Sequence, residues 1–265
     1  DKKKYSMKQT EKYLYKTDYV DDYKKFKKTI INKTVLPYQV EIQPGPTGAK
    51  ICWLECPYCY GKSAINSKER LSIERYLELI KEIADGGIKK VIFAGWATDP
   101  LFYKNIDDLV DCSVENNLIV GFNTKAINVS NRLIDTLGSL KINPDSYISI
   151  SIDASNNEIY NQVHGVKNLK SNIYDRVKNN IENIKKNTNI FVSVSYLIND
   201  NNCNKDIVTD FIEQFTKLKV DLIRFSFPQV PKGQELGFTP DIPDEKRRIE
   251  IENELKLYIN DIAKK

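Results

Sequence analysis

Between Val35 and Phe227 the sequence switches six times from a short β-type run to a longer stretch or turn. The predicted strands are Val35–Ile42, Lys90–Gly95, Leu118–Phe122, Tyr147–Asp153, Ile190–Leu197 and Leu222–Phe227. Helical periodicity predicts helices over Leu71–Ala84, Ile106–Glu115, Asn131–Leu140, Ile173–Lys186 and Ile207–Leu218, and a last one over Asp244–Ile262. Parallel neighbours cannot be joined by a tight turn and need a crossover, usually a helix, so this order predicts an α/β fold on a parallel sheet. In the fourth run Ile148, Ile150 and Ile152 alternate with Ser149, Ser151 and Asp153. The two-residue period gives it one packed and one polar face, the polar one lining a barrel interior. Six units are too few to close an eight-stranded barrel. A Lys- and Tyr-rich extension precedes them at 1–33, the repeating core occupies 34–230, and 231–265 form a C-terminal extension with the terminal helix.

The loop after the first strand carries the chemistry. Cys52, Cys56 and Cys59 stand as C-x3-C-x2-C, and only Cys112 and Cys203 occur elsewhere. A tight trio in a Cys-poor chain points to metal rather than to a disulfide framework. Three thiolates can hold three irons of a [4Fe–4S] cubane and leave the fourth iron without a protein ligand. A structural zinc site wants four ligands, and here the fourth would have to come from far along the chain, where His164 is the only histidine. Cys56 and Cys59 also form a C-x2-C pair, but thioredoxin-like surroundings are lacking.

C-x3-C-x2-C with an aromatic residue, here Tyr58, just before the last cysteine resembles the signature of the radical S-adenosylmethionine (radical SAM) superfamily. The resemblance covers about 190 residues in the expected order. It implies a partial (β/α)6 TIM-like barrel of parallel strands with helical N- and C-terminal extensions. It also implies a [4Fe–4S] cluster on Cys52, Cys56 and Cys59, whose open iron chelates the amino and carboxylate groups of SAM. An electron, from reduced flavodoxin or ferredoxin, would then cleave SAM to a 5′-deoxyadenosyl radical that takes hydrogen from the substrate. The protein's share is orientation, electronics and exclusion of water and oxygen. No cysteine follows Cys203, so SPASM-type auxiliary clusters find no ligands in these residues.

Catalytic side chains of such barrels gather at the carboxyl ends of strands. Gly95-Trp96-Ala97-Thr98-Asp99-Pro100 resembles the family's G-G-E-P segment, with Trp96 at the second glycine and Asp99 two residues late. This implies Gly95 and Asp99 near the SAM ammonium; the alternative is a plain turn. Asn123-Thr124-Lys125 stands where the family often has T-N-G, facing SAM or substrate or simply turning. Ser151-Ile152-Asp153 resembles S-[IL]-D, and Tyr160–Gly165 resembles a stretch with Arg or His at its fifth position. The resemblance therefore implies Ser151 and His164 at the SAM carboxylate, with a structural histidine as the alternative. Strand five offers Ser193 and Ser195, and Asn199 falls where relatives contact ribose. Tyr58 and Tyr60 fall near the adenine. Strand six adds Ser226, Gln229 and Arg224, the last either a substrate clamp or a rim salt bridge. Cys203 sits in a polar loop past strand five, where some radical SAM epimerases keep a hydrogen-donating thiol; the alternative is an incidental cysteine.

The balance of 40 Lys+Arg against 36 Asp+Glu is too mild to argue for nucleic acid. No apolar run is long enough for a membrane span, and no signal-peptide core is visible. Sparse, oxygen-sensitive thiols favour a reducing cytoplasm. The chain begins at Asp1, which is read as processing or trimming. Two substrate classes follow: a small molecule, through epimerase, dehydratase or decarboxylase chemistry, or a peptide whose leader meets the basic arm. The non-enzymatic rival is a zinc-stabilised binding module.

Overall fold

A computed structural model describes residues 32, 37–45, 52, 54–59, 61, 71–95, 98–168, 170–228 and 243–263, the last six by backbone only. The basic arm at 1–33, save residue 32, and the start of the first predicted strand lie outside the described residues, as do Tyr60, Trp96 and Gln229.

Six parallel strands follow one another in chain order: β1 Gln39–Ile42, β2 Lys90–Phe93, β3 Ile119–Thr124, β4 Tyr147–Ser151, β5 Phe191–Leu197 and β6 Leu222–Ser226. The sheet does not close, so the architecture is a partial TIM-like barrel. The helices are α1 Ile73–Asp85, α2 Ile106–Glu115, α3 Asn131–Gly138, α4 Asn157–Val163, α5 Ile173–Asn187, α6 Lys205–Lys217 and α7 Glu245–Ala263. Side-chain caps fix several starts. Ser72 accepts from Arg75 N at α1, Ser130 from Leu133 N at α3, and Asn204 from Asp206 N and Ile207 N at α6. Each cap contributes about 1 kcal/mol. Helix α4 was not expected. It is too short to show a period, and Asn156 capping Ile159 N with Tyr160 and Val163 buried is what holds it.

Register shows which residues share a face. Ile148, Ile150 and Ile152 are 0% exposed and belong to the core with Val120, Phe122, Val192 and Val194, under the helices. Burial of such side chains contributes roughly 1.5–3 kcal/mol each. The opposite, inner face begins with a packed floor. Ile92, Gly121, Tyr147 and Phe191 lie in one cross-strand row. Gly121 is needed there, because a Cβ would lie 2.6 Å from Tyr147 Cζ. Above the floor the face turns polar: Asn123, Ser149 and Ser193 form one row, and Ser151, Ser195 and Arg224 the next. Strand β4 ends at Ser151, two residues earlier than expected. Asp153 takes φ +60°, a left-handed conformation that Asp tolerates, so it leaves the strand's alternation.

Candidate active site

The cysteine loop is docked on the end of α4. Glu55 N donates to His164 O (3.0 Å), and Cys59 N donates to Cys56 O (3.1 Å). Gly165 has φ +60°, and a Cβ there would lie 2.5 Å from Glu55 O. Both conformation and space therefore require glycine. Gly165→Ala is expected to push Glu55 off this seat and to cut iron uptake on anaerobic reconstitution by more than half, with a smaller loss of melting temperature. Unchanged iron content would show the seat to be dispensable.

Cys52 and Cys59 are half-buried and Cys56 is buried, and all three are free thiols. Burial pushes the Cys56 thiol up to about 11, and it raises Cys52 too; the Lys125 ammonium pulls both back. Cys56 Sγ lies 3.3 Å from His164 Nδ1.

Behind the loop four polar side chains form one network. His164 Nε2 donates to Ile152 O (3.0 Å), which leaves Nδ1 as the acceptor. Tyr58 OH lies 2.9 Å from that Nδ1 and also 2.9 Å from Asp153 Oδ2, so its single proton serves one at a time. Lys125 Nζ donates to Asp153 Oδ2 (3.0 Å) and lies 3.4 Å from His164 Nδ1. Leu197 N donates to Asp153 Oδ1 (2.7 Å). Burial opposes charge on Asp153, yet Lys125 and the other partners together hold its carboxyl below the usual range. Burial likewise opposes Lys125, and Asp153 with Cys56 and Asp99 outweighs it and holds the ammonium high. Burial, helped by Lys125, lowers His164 to about 3, so the imidazole is neutral. Burial and then Asp153 raise the Tyr58 phenol. The pair is charged, the histidine and tyrosine are not, and the network is neutral overall.

Among the residues nominated from sequence, Tyr58, Asp153 and His164 meet here. The imidazole is 0% exposed, and Nε2 is spent on the backbone. Its expected role, meeting a carboxylate, is thus less directly offered than its alternative as a structural histidine. Asp99 is spent on structure. Its carboxylate accepts from Leu101 N (2.9 Å), Thr124 Oγ1 (2.7 Å) and Lys125 N, tying the turn after β2 to the end of β3. Gly95 is required by the same turn, since a Cβ would lie 1.8 Å from Thr98 O. Asn199 also turns inward. Its Oδ1 accepts from Asn201 N (3.0 Å) and its Nδ2 donates to Leu197 O (3.3 Å). Ser195 Oγ donates to Ser151 Oγ (3.3 Å) on the inner face, and Ser193 Oγ is buried without a partner. Cys203 was expected to be accessible in a polar loop. It is 4% exposed and packs in the core, because Cys203 N donates to Asn199 O (2.8 Å) and Arg247 of α7 donates to Cys203 O (3.0 Å), folding the loop inward. Cys112 is buried on α2, as its apolar neighbours suggested.

Lys125 lies in the Asn123-Thr124-Lys125 segment, which the sequence read as facing SAM or substrate or simply turning, without the lysine being singled out; the Tyr160 hydroxyl was not nominated. Tyr160 OH is buried without a partner, its ring centroid 4.2 Å from that of His164. Burial, and then Cys56 and Asp153, push its phenol up.

Three free thiols on one loop, a cation beside them and an orphaned hydroxyl suit a group bearing its own acceptors, such as an iron–sulfur cubane. Among the described residues no three His, Cys, Asp or Glu side chains converge where a single metal ion could sit. The three thiolates of a cubane each bind a different iron, so they surround a cluster rather than one ion.

A family model described as "Radical SAM superfamily" matches residues 48–211. GTP 3′,8-cyclase of Clostridium perfringens (strain SM101 / Type A) is 25% identical over 198 residues, covering 69% of this chain and 54% of its own. The chain thus spans about half the length of the curated relatives it matches. Streptococcus suis SuiB bound to S-adenosylmethionine is similar in fold, with TM-score 0.66 and 12% identity, over 97% of this chain and 58% of that one. The same protein bound to precursor peptide SuiA gives TM-score 0.67 and 14% identity, over 91% and 50%.

Proposed function

The chain belongs to the radical SAM superfamily, and from that premise we propose that it is an enzyme that reductively cleaves SAM at a [4Fe–4S] cluster and abstracts hydrogen from a small-molecule substrate. The superfamily uses these two cofactors, and SAM is bound in a solved neighbour. Bound together, cluster and SAM supply a one-electron cleavage that yields a hydrogen-abstracting radical. The observation that carries the reading is the trio of free thiols on a loop seated against α4 through Glu55 and Gly165.

The roles of the chain's own residues follow from position. Cys52, Cys56 and Cys59 hold the metal. The Lys125 ammonium favours the thiolate forms of Cys52 and Cys56. Tyr58, Asp153 and the neutral His164 wall off the buried side of the loop. Asp99 and Gly95 shape the turn that borders it. The serine rows of β4 and β5 face the barrel interior, where SAM and substrate would meet. The electron donor is a reduced flavodoxin or ferredoxin, and a cytoplasmic setting fits the thiol chemistry. No helix among the described residues is long and apolar enough to cross a membrane.

A small substrate is favoured by the curated relatives, whose printed name is that of a GTP cyclase. The peptide reading is supported only by the basic arm and by likeness of fold to a peptide-bound neighbour. Deleting residues 1–33 would weaken peptide binding and leave small-molecule turnover nearly intact.

The deciding experiment is anaerobic reconstitution with iron and sulfide, reduction, and EPR with and without SAM. A [4Fe–4S]⁺ signal that SAM perturbs, with release of 5′-deoxyadenosine, is expected. A protein that takes up one zinc and no iron would remove the reading.

A further inference from the structure

Arg224 lies on the inner face of β6, in register with Ser195 and, one strand further, Ser151. It is exposed, and among the described residues it has no hydrogen-bond or ion-pair partner. The rim salt bridge that would give it a structural purpose is therefore absent among those residues. The acids near this end of the sheet are already taken. Asp221, just before β6, accepts from Lys185 Nζ (2.8 Å) and Val192 N (2.7 Å). Asp200 is held by Arg247 (2.9 Å), and Asp153 by Lys125 (3.0 Å). Lys125 is thereby neutralised, and among the described residues Arg224 is the charge left uncompensated on the inner faces of β4 to β6.

We propose that Arg224 and Ser195 form an anion-recognising subsite beside Ser151, the residue that the resemblance implies at the SAM carboxylate, and that the substrate carries a carboxylate or phosphate group bound there. The proposal rests on the radical SAM reading only in taking the barrel interior as the substrate's place. A guanidinium presents a planar fork of donors that matches both anions, and hydroxyls beside it complete the shell. The hydroxyls are present: Ser195 Oγ donates to Ser151 Oγ (3.3 Å), a weak bond that an anion's oxygens would readily replace. One row deeper, the buried Ser193 Oγ has no partner among the described residues, an unsatisfied donor on the same face. Neighbouring strands lie about 4.8 Å apart, so the row of three spans roughly 10 Å, enough for an anionic head group and the atoms that carry it. The floor of Tyr147, Phe191 and Ile92 beneath is apolar and buried, which places the polar end of a ligand above it.

The test uses the reconstituted, SAM-loaded protein and isothermal titration calorimetry with pyrophosphate and, separately, citrate, to distinguish phosphate from carboxylate recognition. GTP and guanosine form a second pair, alike except for the phosphates. Wild type is expected to bind at least one of the two small anions, and Arg224→Gln to lose about tenfold or more in affinity, the size of one charge-assisted contact. Arg224→Lys should recover part of it, and Ser195→Ala should weaken it less than Arg224→Gln does. GTP binding that is no tighter than guanosine would assign the subsite to carboxylates. The proposal is overturned if wild type binds neither small anion, or if Arg224→Gln loses less than threefold. An EPR spectrum of the same preparations separates the two failures. A SAM-perturbed signal without anion binding sinks the subsite alone; anion binding without that signal sinks the radical reading alone.

Discussion

Alanine in place of any one of Cys52, Cys56 or Cys59 is expected to abolish the S = 1/2 signal of the reduced cluster and to lower 5′-deoxyadenosine formation by a factor of about a thousand or more, since electron transfer to SAM has no other route. The chain holds no substitute thiol nearby. Cys112 is buried on α2 with its Sγ 3.8 Å from Leu77 O, and Cys203 is buried beneath the loop that Arg247 ties down. The three variants should not be equal. His164 Nδ1 lies 3.3 Å from Cys56 Sγ, so Cys56→Ala leaves a nitrogen donor beside the vacated position. It is expected to retain a fraction of the iron, with altered g-values, while Cys52→Ala and Cys59→Ala retain almost none. Cys112→Ala, on the far side of the helical layer, should keep full iron content. Equal and complete loss in all three would show that His164 cannot stand in. Retention of wild-type iron by any one of them would remove that cysteine from the ligand set.

Much of the fold was legible because parallel strands buried on the helix side leave an apolar alternation that survives in the sequence. Ile148, Ile150 and Ile152 predict β4 and its packed face directly, and Ile106–Glu115 has the predicted limits. The cysteine trio was legible for a different reason: metal ligation fixes residue type and local spacing together. What the sequence concealed depends on long-range geometry. Lys125 and Asp153 are separated by 28 positions and meet at 3.0 Å only because β3 and β4 are neighbours. The same rule hid the burial of Cys203, whose loop is polar by composition yet is folded inward by its own Asn199 and by Arg247 from α7, 44 positions away. Asp99 and Asn199 were nominated by resemblance to family positions that meet SAM, but here both complete turns, work that short polar side chains perform equally well. Arg224 was ambiguous for the converse reason. Whether an arginine has a partner is a property of the space around it.

The Lys125–Asp153 pair should prove the strongest energetic coupling in the site. Asp153 is 2% exposed at its side chain and Lys125 16%, so each charge has been taken largely out of water and depends on the other. Asp153→Ala is expected to destabilise the apo protein by about 3–5 kcal/mol, because it strands a buried ammonium and leaves Leu197 N without its acceptor, while Tyr58 OH still has His164 Nδ1. Lys125→Met should destabilise less, since Tyr58 and Leu197 N still donate to the remaining carboxylate. The double variant Asp153→Asn, Lys125→Met should recover much of the loss, since neither charge remains and the amide oxygen can still accept from Leu197 N. Urea unfolding of wild type, Asp153→Asn, Lys125→Met and the double variant closes the cycle and gives the coupling directly. The pH dependence has a definite sign. Asp153 is held below its ordinary value of 3.8, so its contribution is present above that value and lost as pH falls through the folded one. Lys125 is held above 10.5, so its contribution is present below that value and lost as pH rises past the folded one. The gap between wild type and the double variant should therefore stay flat across neutral pH and narrow only toward either extreme. Strict additivity of the single losses would show that the two charges do not support each other, and the neutral network that leaves Arg224 uncompensated among the described residues of β4 to β6 would then have to be redrawn.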